Sequence, residues 1–188
     1  MDAVERMLQQ VQPLQSPPLH RWQPEFSGDI DICIDVDGDW FHEGARMTRS
    51  SLVRLFASIL RYEPALGYVL VTPQEKWRIR VADVPFIVTA MSARAEGARD
   101  VLMFATNVGE EVPLDNEHPL SLEQSDSATG QSSDRFRPYI VLREGIRARL
   151  SRPVYYELAA RAVEHQGRFG VWSAQRFFPL EVLPSSNV

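Results

Sequence analysis

An α+β fold made of two repeated halves is what this sequence predicts, and three observations predict it. Apolar residues alternate with polar ones at period two in many short runs, which is the mark of half-buried strands. Stripes at period 3.6 are few and short, so helices are the minority element. One order of elements also occurs twice. Glu43-Gly44-x-Arg46 matches Glu144-Gly145-x-Arg147, and in the same register Ser50 meets Ser151, Val53 meets Val154 and Glu63 meets Glu164. Gly67 then meets Gly167, and Trp77 faces Phe177. Each half reads strand–turn–strand–helix–Gly–strand–strand, the signature of an internal duplication. The matched stretch is short and its identity low, so chance agreement is the alternative.

The elements follow in order. Val4, Met7, Leu8 and Val11 recur at i, i+3, i+4 and i+7 and predict a short amphipathic helix. The Pro-rich stretch Pro13–Pro24 cannot continue it. Packing on the body of the protein is the plain expectation for this helix, and docking to a partner is the alternative. The folded part opens at Ile30, where Ile30, Ile32 and Ile34 alternate with Asp31, Cys33 and Asp35. Asp37-Gly38 tolerates the positive φ of a tight turn, and Asp39–His42 returns. Leu52, Leu55, Phe56, Ile59 and Leu60 form a helical stripe, with Thr48 or Ser50 as its cap. Four strands are expected next: Tyr68–Thr72, Trp77–Val81, Phe86–Met91 and Asp100–Thr106. Residues 121–134 are small and polar and predict a loop. Beyond it come a strand at Tyr139–Leu142, a turn at Glu144-Gly145, and a strand at Ile146–Leu150. A helix follows, capped by Ser151, with Pro153 in its first turn, where the missing N–H does no harm. Val154, Tyr155, Leu158, Ala159 and Ala162 carry its stripe, Gly167 ends it, and strands at Phe169–Trp172 and Phe177–Val182 finish the chain. The domain expectation is an N-terminal helix and linker over 1–19, a first repeat over 20–98 and a second over 99–188.

A chain of 188 residues buries about 70% of its extended surface, so it needs neither a disulfide nor a metal to fold. Its 44% hydrophobic and 24% charged content is that of a globular protein. No run approaches the roughly 18 apolar residues of a membrane helix. The N-terminus lacks the apolar core of a secretory signal, and the single Cys33 has no internal partner, so the cytoplasm is expected. A net charge of −5 argues against broad binding to nucleic acid polymers or membranes. Of the twenty basic residues all but Lys76 are arginine. A GC-rich genome explains that composition, and so does recognition of phosphate or carboxylate, for which arginine is the better fork.

Motifs for chemistry are scarce. Asp35-Val36-Asp37-Gly38-Asp39 resembles the nucleophile loop of haloacid-dehalogenase-type phosphatases, with Asp35 as nucleophile and Asp37 as general acid. Asp39 stands where the motif has Thr, and the preceding strand alternates where a buried parallel strand would be uniformly apolar. The same acids miss calcium-loop spacing, because Gly38 is misplaced and Arg46 stands where a bidentate Glu belongs. A solvated hairpin tip is the better account. His20, His42, His118 and His165 lack metal-ligand spacing, and no nucleophile elbow or phosphate loop appears. No cofactor, no metal and no catalytic residue is expected. Thr72, Glu75 and Lys76 cluster at a turn and read either as an ordinary exposed turn or as part of a polar ligand site. Arg143, Arg147, Arg149 and Arg152 surround the second turn and helix start. They suit an anion or form a solvated basic rim.

The segments Trp22-x-Pro24, Gly28-x-Ile30-x-Ile32, DGDWFHEGARMTR, LVRLF, YVLVTPQEK and VADVPF are similar, in order and spacing, to the bacterial family called domain of unknown function 1285. So are Thr106–Gly109, His118-Pro119, Pro138-Tyr139 and Arg152–Tyr156, and the resemblance covers about residues 20 to 183. It implies two repeated α+β units, the second like a pleckstrin-homology barrel. It also implies a site for a nucleotide-like ligand at the junction of the halves, and a role in signal transduction. No catalytic residues are established for the family. Projected onto this chain, the candidate ligand-binding residues are Arg46, Arg49, Thr72, Glu75, Lys76, Asn107, Arg143, Arg152 and Tyr156, and Trp77 and Trp172 are candidates to stack on a base. A small phosphorylated ligand is the expected partner, and a protein partner is the alternative.

Overall fold

A computed structural model describes residues 3–11, 17–96, 99–124 and 136–180. The chain divides into two compact units, Met1–Pro85 with Glu144–Ile146, and Phe86–Arg143 with Arg147–Val188. The break precedes the 98/99 boundary expected from the sequence, because the strand that begins at Phe86 pairs only within the second unit. Of the Pro-rich stretch, residues 13–16 lie outside the described residues, as do 125–134 of the expected loop and 181–182 of the expected last strand. Among the described residues no helix is long and apolar enough to cross a membrane.

The first unit holds α1 (Ala3–Gln10), β1 (Phe26–Ile34), β2 (Trp40–His42), β3 (Ala45–Arg46), α2 (Ser50–Ser58), β4 (Leu60–Glu63), β5 (Gly67–Val71) and β6 (Lys76–Val81). Its sheet has the order β3-β2-β1-β6-β5-β4. Two antiparallel meanders, β1–β3 and β4–β6, thus meet where β1 runs parallel to β6. Ile32, Ile34, Trp40, Phe56, Leu60 and Leu70 form the core, with the Trp40 and Phe56 rings stacked at 6.3 Å. The acids alternating along β1 find partners on β6: Arg78 on Asp29 at 2.5 and 2.9 Å, and Arg80 on Asp31 at 2.6 Å. β1 starts at Phe26, ahead of Ile30.

α2 ends at Ser58, short of the stripe read from the sequence. Ile59 leaves helical geometry and Leu60 opens β4, so the last two stripe residues serve a strand. Neither Thr48 nor Ser50 caps it; Arg49 holds the N-cap position, with no side-chain cap bond.

The second unit holds β7 (Phe86–Glu96), β8 (Arg99–Thr106), β9 (Glu111–Pro113), β10 (Leu120–Gln124), β11 (Phe136–Arg143), β12 (Ile146–Leu150), α3 (Arg152–Ala159), β13 (Val163–His165), β14 (Arg168–Ser173) and β15 (Arg176–Pro179). β10 occupies the first residues of the expected loop. β7–β12 form a curled half-barrel of order β10-β11-β12-β7-β8-β9, again joined by a parallel pair, β12 with β7. β13–β15 make a separate three-stranded sheet. The buried Ser173 hydroxyl fastens that sheet to its neighbours, donating to the Leu114 carbonyl at 2.7 Å and accepting the Leu102 N–H at 3.0 Å. Ser151 does precede α3, but its side chain makes no cap bond. Gly167 does not end α3, which stops at Ala159; with Gln166 it forms the positive-φ turn between β13 and β14.

The described residues are therefore mostly sheet with three α-helices, an α+β fold with duplicated halves. The two-strand, helix, two-strand order read around Glu43 and Glu144 is present with one further strand after each helix, β4 and β13, as β2-β3-α2-β4-β5-β6 and β11-β12-α3-β13-β14-β15. The sheets themselves repeat in a different register. β1–β6 and β7–β12 share one strand order, because the meander after α2 completes the first sheet while the meander after α3 stands apart.

Candidate functional site

In the first unit, Thr72, Glu75 and Lys76 come together at the β5–β6 turn. Thr72 is fully buried. Its hydroxyl donates to Gln10 Oε1 at 2.6 Å and accepts the Glu75 N–H at 3.0 Å, so it closes the turn and clips α1 over it. Glu75 Oε1 accepts from Arg6 Nε at 2.9 Å. Lys76 Nζ lies 3.0 Å from Glu63 Oε1, and Arg61 binds the same carboxylate. Arg61 also donates to the carbonyls of Leu19 and Trp22, at 3.1 and 2.9 Å. Burial pushes the Glu63 carboxyl up, but its bonds to Lys76 and Arg61 outweigh that and hold it below the usual glutamate range. Arg46 and Arg49 are not part of this cluster. Arg46 is exposed on β3 and pairs with Asp39 at 2.5 Å, and Arg49 is exposed ahead of α2. Trp77 is half-buried and lies over Gly28, which puts it in the packing of the sheet. Asp35 Oδ1 accepts the N–H groups of Asp37 and Asp39, each at 2.9 Å, so the phosphatase-like acids form a turn.

In the second unit, Asn107 ties the ends of β7 and β8 together. Its N–H donates to the Ile87 carbonyl at 2.8 Å and its Oδ1 accepts the Ile87 N–H at 3.1 Å. Arg143 Nη1 meets both Glu110 oxygens, at 3.0 and 2.9 Å, and its guanidinium stands 5.8 Å from the Phe86 ring centre. Arg152 opens α3, and Tyr156, one turn on, is 58% exposed.

A wider arrangement joins these. On β11, Pro138, Ile140 and Leu142 turn into the core, which sends Arg137, Tyr139, Val141 and Arg143 to the other face. On β12, Ile146, Ala148 and Leu150 are buried between Arg147 and Arg149. The Arg147 guanidinium lies 4.7 Å from the Tyr139 ring centre and pairs with Glu123, so the arginines of both strands share a face. β11 and β12 carry four arginines and no acid. Such forks fit phosphate or carboxylate oxygens two at a time. Sequence reading grouped Arg143, Arg147 and Arg149 around the turn but missed Arg137 and Tyr139, whose signal was the period-two alternation of FRPYIVLR. His165, read from the sequence only as lacking metal-ligand spacing, packs against Trp172 and Phe177 with ring centres at 4.9 and 5.1 Å. Trp172 remains 46% exposed in that cluster. Among the described residues, no three His, Cys, Asp or Glu side chains are grouped to hold a metal.

Two family profiles match the chain: Domain of unknown function (DUF1285), N-terminal domain, over residues 17–84, and Protein of unknown function (DUF1285), C-terminal domain, over 85–180. The chain belongs to the DUF1285 family. The join between the profiles falls at the break between the two units, and α1 lies ahead of the first profile. A DUF1285 family protein from Silicibacter pomeroyi DSS-3, known from a crystal structure, is 35% identical. That match covers 97% of each chain with a TM-score of 0.84. A second DUF1285 family crystal structure, from Shewanella baltica OS155, is 27% identical, covers 68% of this chain and 89% of that one, and has a TM-score of 0.51. No curated protein matches.

Proposed function

We propose that this DUF1285 chain is a cytoplasmic binding protein for a small phosphorylated, nucleotide-like ligand, and that it serves signal transduction without turning the ligand over. The arginine-lined face of β11 and β12 carries the reading. Arg137, Arg143, Arg147 and Arg149 bring forked cations to these strands, and a phosphate would share Arg143 with Glu110 and Arg147 with Glu123. Arg152 and the exposed ring of Tyr156 follow on α3 and would add a further cation and a surface for a base. Arg46 and Arg49 remain candidates as exposed cations of the first unit. Thr72, Lys76 and Asn107 bind neighbouring groups, and Glu75 holds Arg6 through one of its two oxygens, so in this reading all four hold local structure.

The test is a thermal-shift panel of nucleotides, cyclic nucleotides and phosphorylated metabolites on the intact chain. A true ligand at about a hundred times its dissociation constant adds about 2.7 kcal/mol, or roughly 5–10 °C for a chain of this size. The shift should vanish in Arg147→Ala and Arg149→Ala variants that keep the unliganded melting temperature. A panel that moves nothing, or a shift those variants retain, sinks this reading.

A further inference from the structure

Two carboxylates meet the arginines of β11 and β12, and they are held differently. Both oxygens of Glu110 accept from Arg143 Nη1, and that guanidinium stands over the ring of the fully buried Phe86. Glu123 lies on β10, the edge strand of the half-barrel, and its side chain is 47% exposed against 31% for Glu110. In register Glu123 stands opposite Arg137 on β11, yet its carboxylate pairs with Arg147 on β12. The pair therefore joins two strands that are not neighbours and crosses over β11 between them. Beneath it lies the buried ring of Tyr139, with the Arg147 guanidinium 4.7 Å from its centre.

An exposed ion pair contributes little, because water solvates both partners nearly as well. Releasing Glu123 to water costs correspondingly little, while Arg147 keeps its seat on Tyr139 and stays available to another anion. We infer that the Glu123 carboxylate occupies the place of the ligand's phosphate: the anion enters beside Arg137 and Arg147 as Glu123 leaves, and Glu110 keeps Arg143. This rests on the arginine-face reading above and gives it a ligand class. A phosphodiester, as in a cyclic nucleotide, carries the same single charge as the carboxylate it would replace. A phosphate monoester carries about −1.5 to −2 at pH 7, with three acceptor oxygens. It therefore gains more from the arginines than Glu123 gives up. The site selects terminal phosphates and discriminates against cyclic nucleotides.

The probes are inorganic phosphate and dimethyl phosphate, a dianion and a monoanion at mildly alkaline pH, used at matched ionic strength. Each is titrated into the full-length chain while NMR follows the arginine Nε–Hε signals, that of Arg147 being identified by its loss in Arg147→Lys. The unmodified chain should bind phosphate at least about threefold more tightly than dimethyl phosphate. Glu123→Gln should tighten phosphate binding by at least about threefold, the effect of removing one exposed ion pair. Glu110→Gln removes the same charge and should give no such gain. Melting temperatures of both variants check that the sheet is intact. Phosphate affinity unchanged in Glu123→Gln overturns the inference and leaves the arginine-face reading standing. An equal gain in Glu110→Gln does the same, since net charge alone would then explain it. Equal affinity for the two probes overturns the ligand class. Arg147 and Arg149 signals that neither probe moves, in any of these chains, overturn the inference together with the reading on which it rests.

Discussion

Glu63 sits between Lys76 and Arg61, and its carboxyl is held below the usual range despite partial burial. A carboxylate whose folded-state value is lowered stabilises the fold above its unfolded value, about 4.3, and loses that contribution as the pH falls through the folded value. Glu63→Gln should therefore lower stability at neutral pH by about 1 kcal/mol or less, given the solvent screening of a partly exposed group. Urea denaturation should show the two proteins converging as the pH drops below about 4. A gap that stays constant into acid would mean that the charge of Glu63 is not what matters there. At the same scale, the Asp35 carboxylate is engaged by two backbone N–H groups of its own turn.

Helices α1 and α2 are both amphipathic, yet their attachment differs. α2 puts Phe56 at the centre of the first unit's core, stacked on Trp40. Phe56→Ala should cost about 3–5 kcal/mol, the usual cost of a large ring deleted from a close-packed interior. Met7 on α1 is equally inaccessible, but a helix of eight residues can detach before the sheet melts. Met7→Ala should then cost no more than the docking energy of α1, about 1 kcal/mol, below the usual 2–5 for a buried methionine. Chemical denaturation of the two variants measures both. A Met7→Ala loss as large as that of Phe56→Ala would make α1 integral to the global fold.

The whole chain has a net charge of −5, so an anionic ligand approaches against the average field and depends on the local arginines. Ligand affinity should fall as salt rises, since exposed charge pairs are screened within about 10 Å at 0.1 M. Raising ionic strength from about 0.05 to 0.5 M should weaken binding several-fold, measured by titration calorimetry on whichever ligand the thermal panel selects. Affinity unchanged by salt would point to apolar recognition and away from the arginine face. A duplicated sheet order in the two units gives each its own core and its own parallel central pair.

The sequence alone determined the α+β class, the positions of most strands, the amphipathic helices and the tight turns at Asp37-Gly38 and Glu144-Gly145. These features are written in periodicity and in the φ preferences of a few residues, both local properties. It could not show that Asp29 and Asp31 would meet Arg78 and Arg80, forty-nine residues away, because a parallel pairing of β1 with β6 leaves no local trace. Nor could it show that Thr72 would be closed off by Gln10, or that Ile59 and Leu60 would leave the helix for a strand. A short apolar run suits either element until its neighbours are known. The shared face of Arg137, Arg147 and Arg149 was half-legible. Alternation fixes which residues of one strand point together, but only tertiary pairing decides which strands lie side by side.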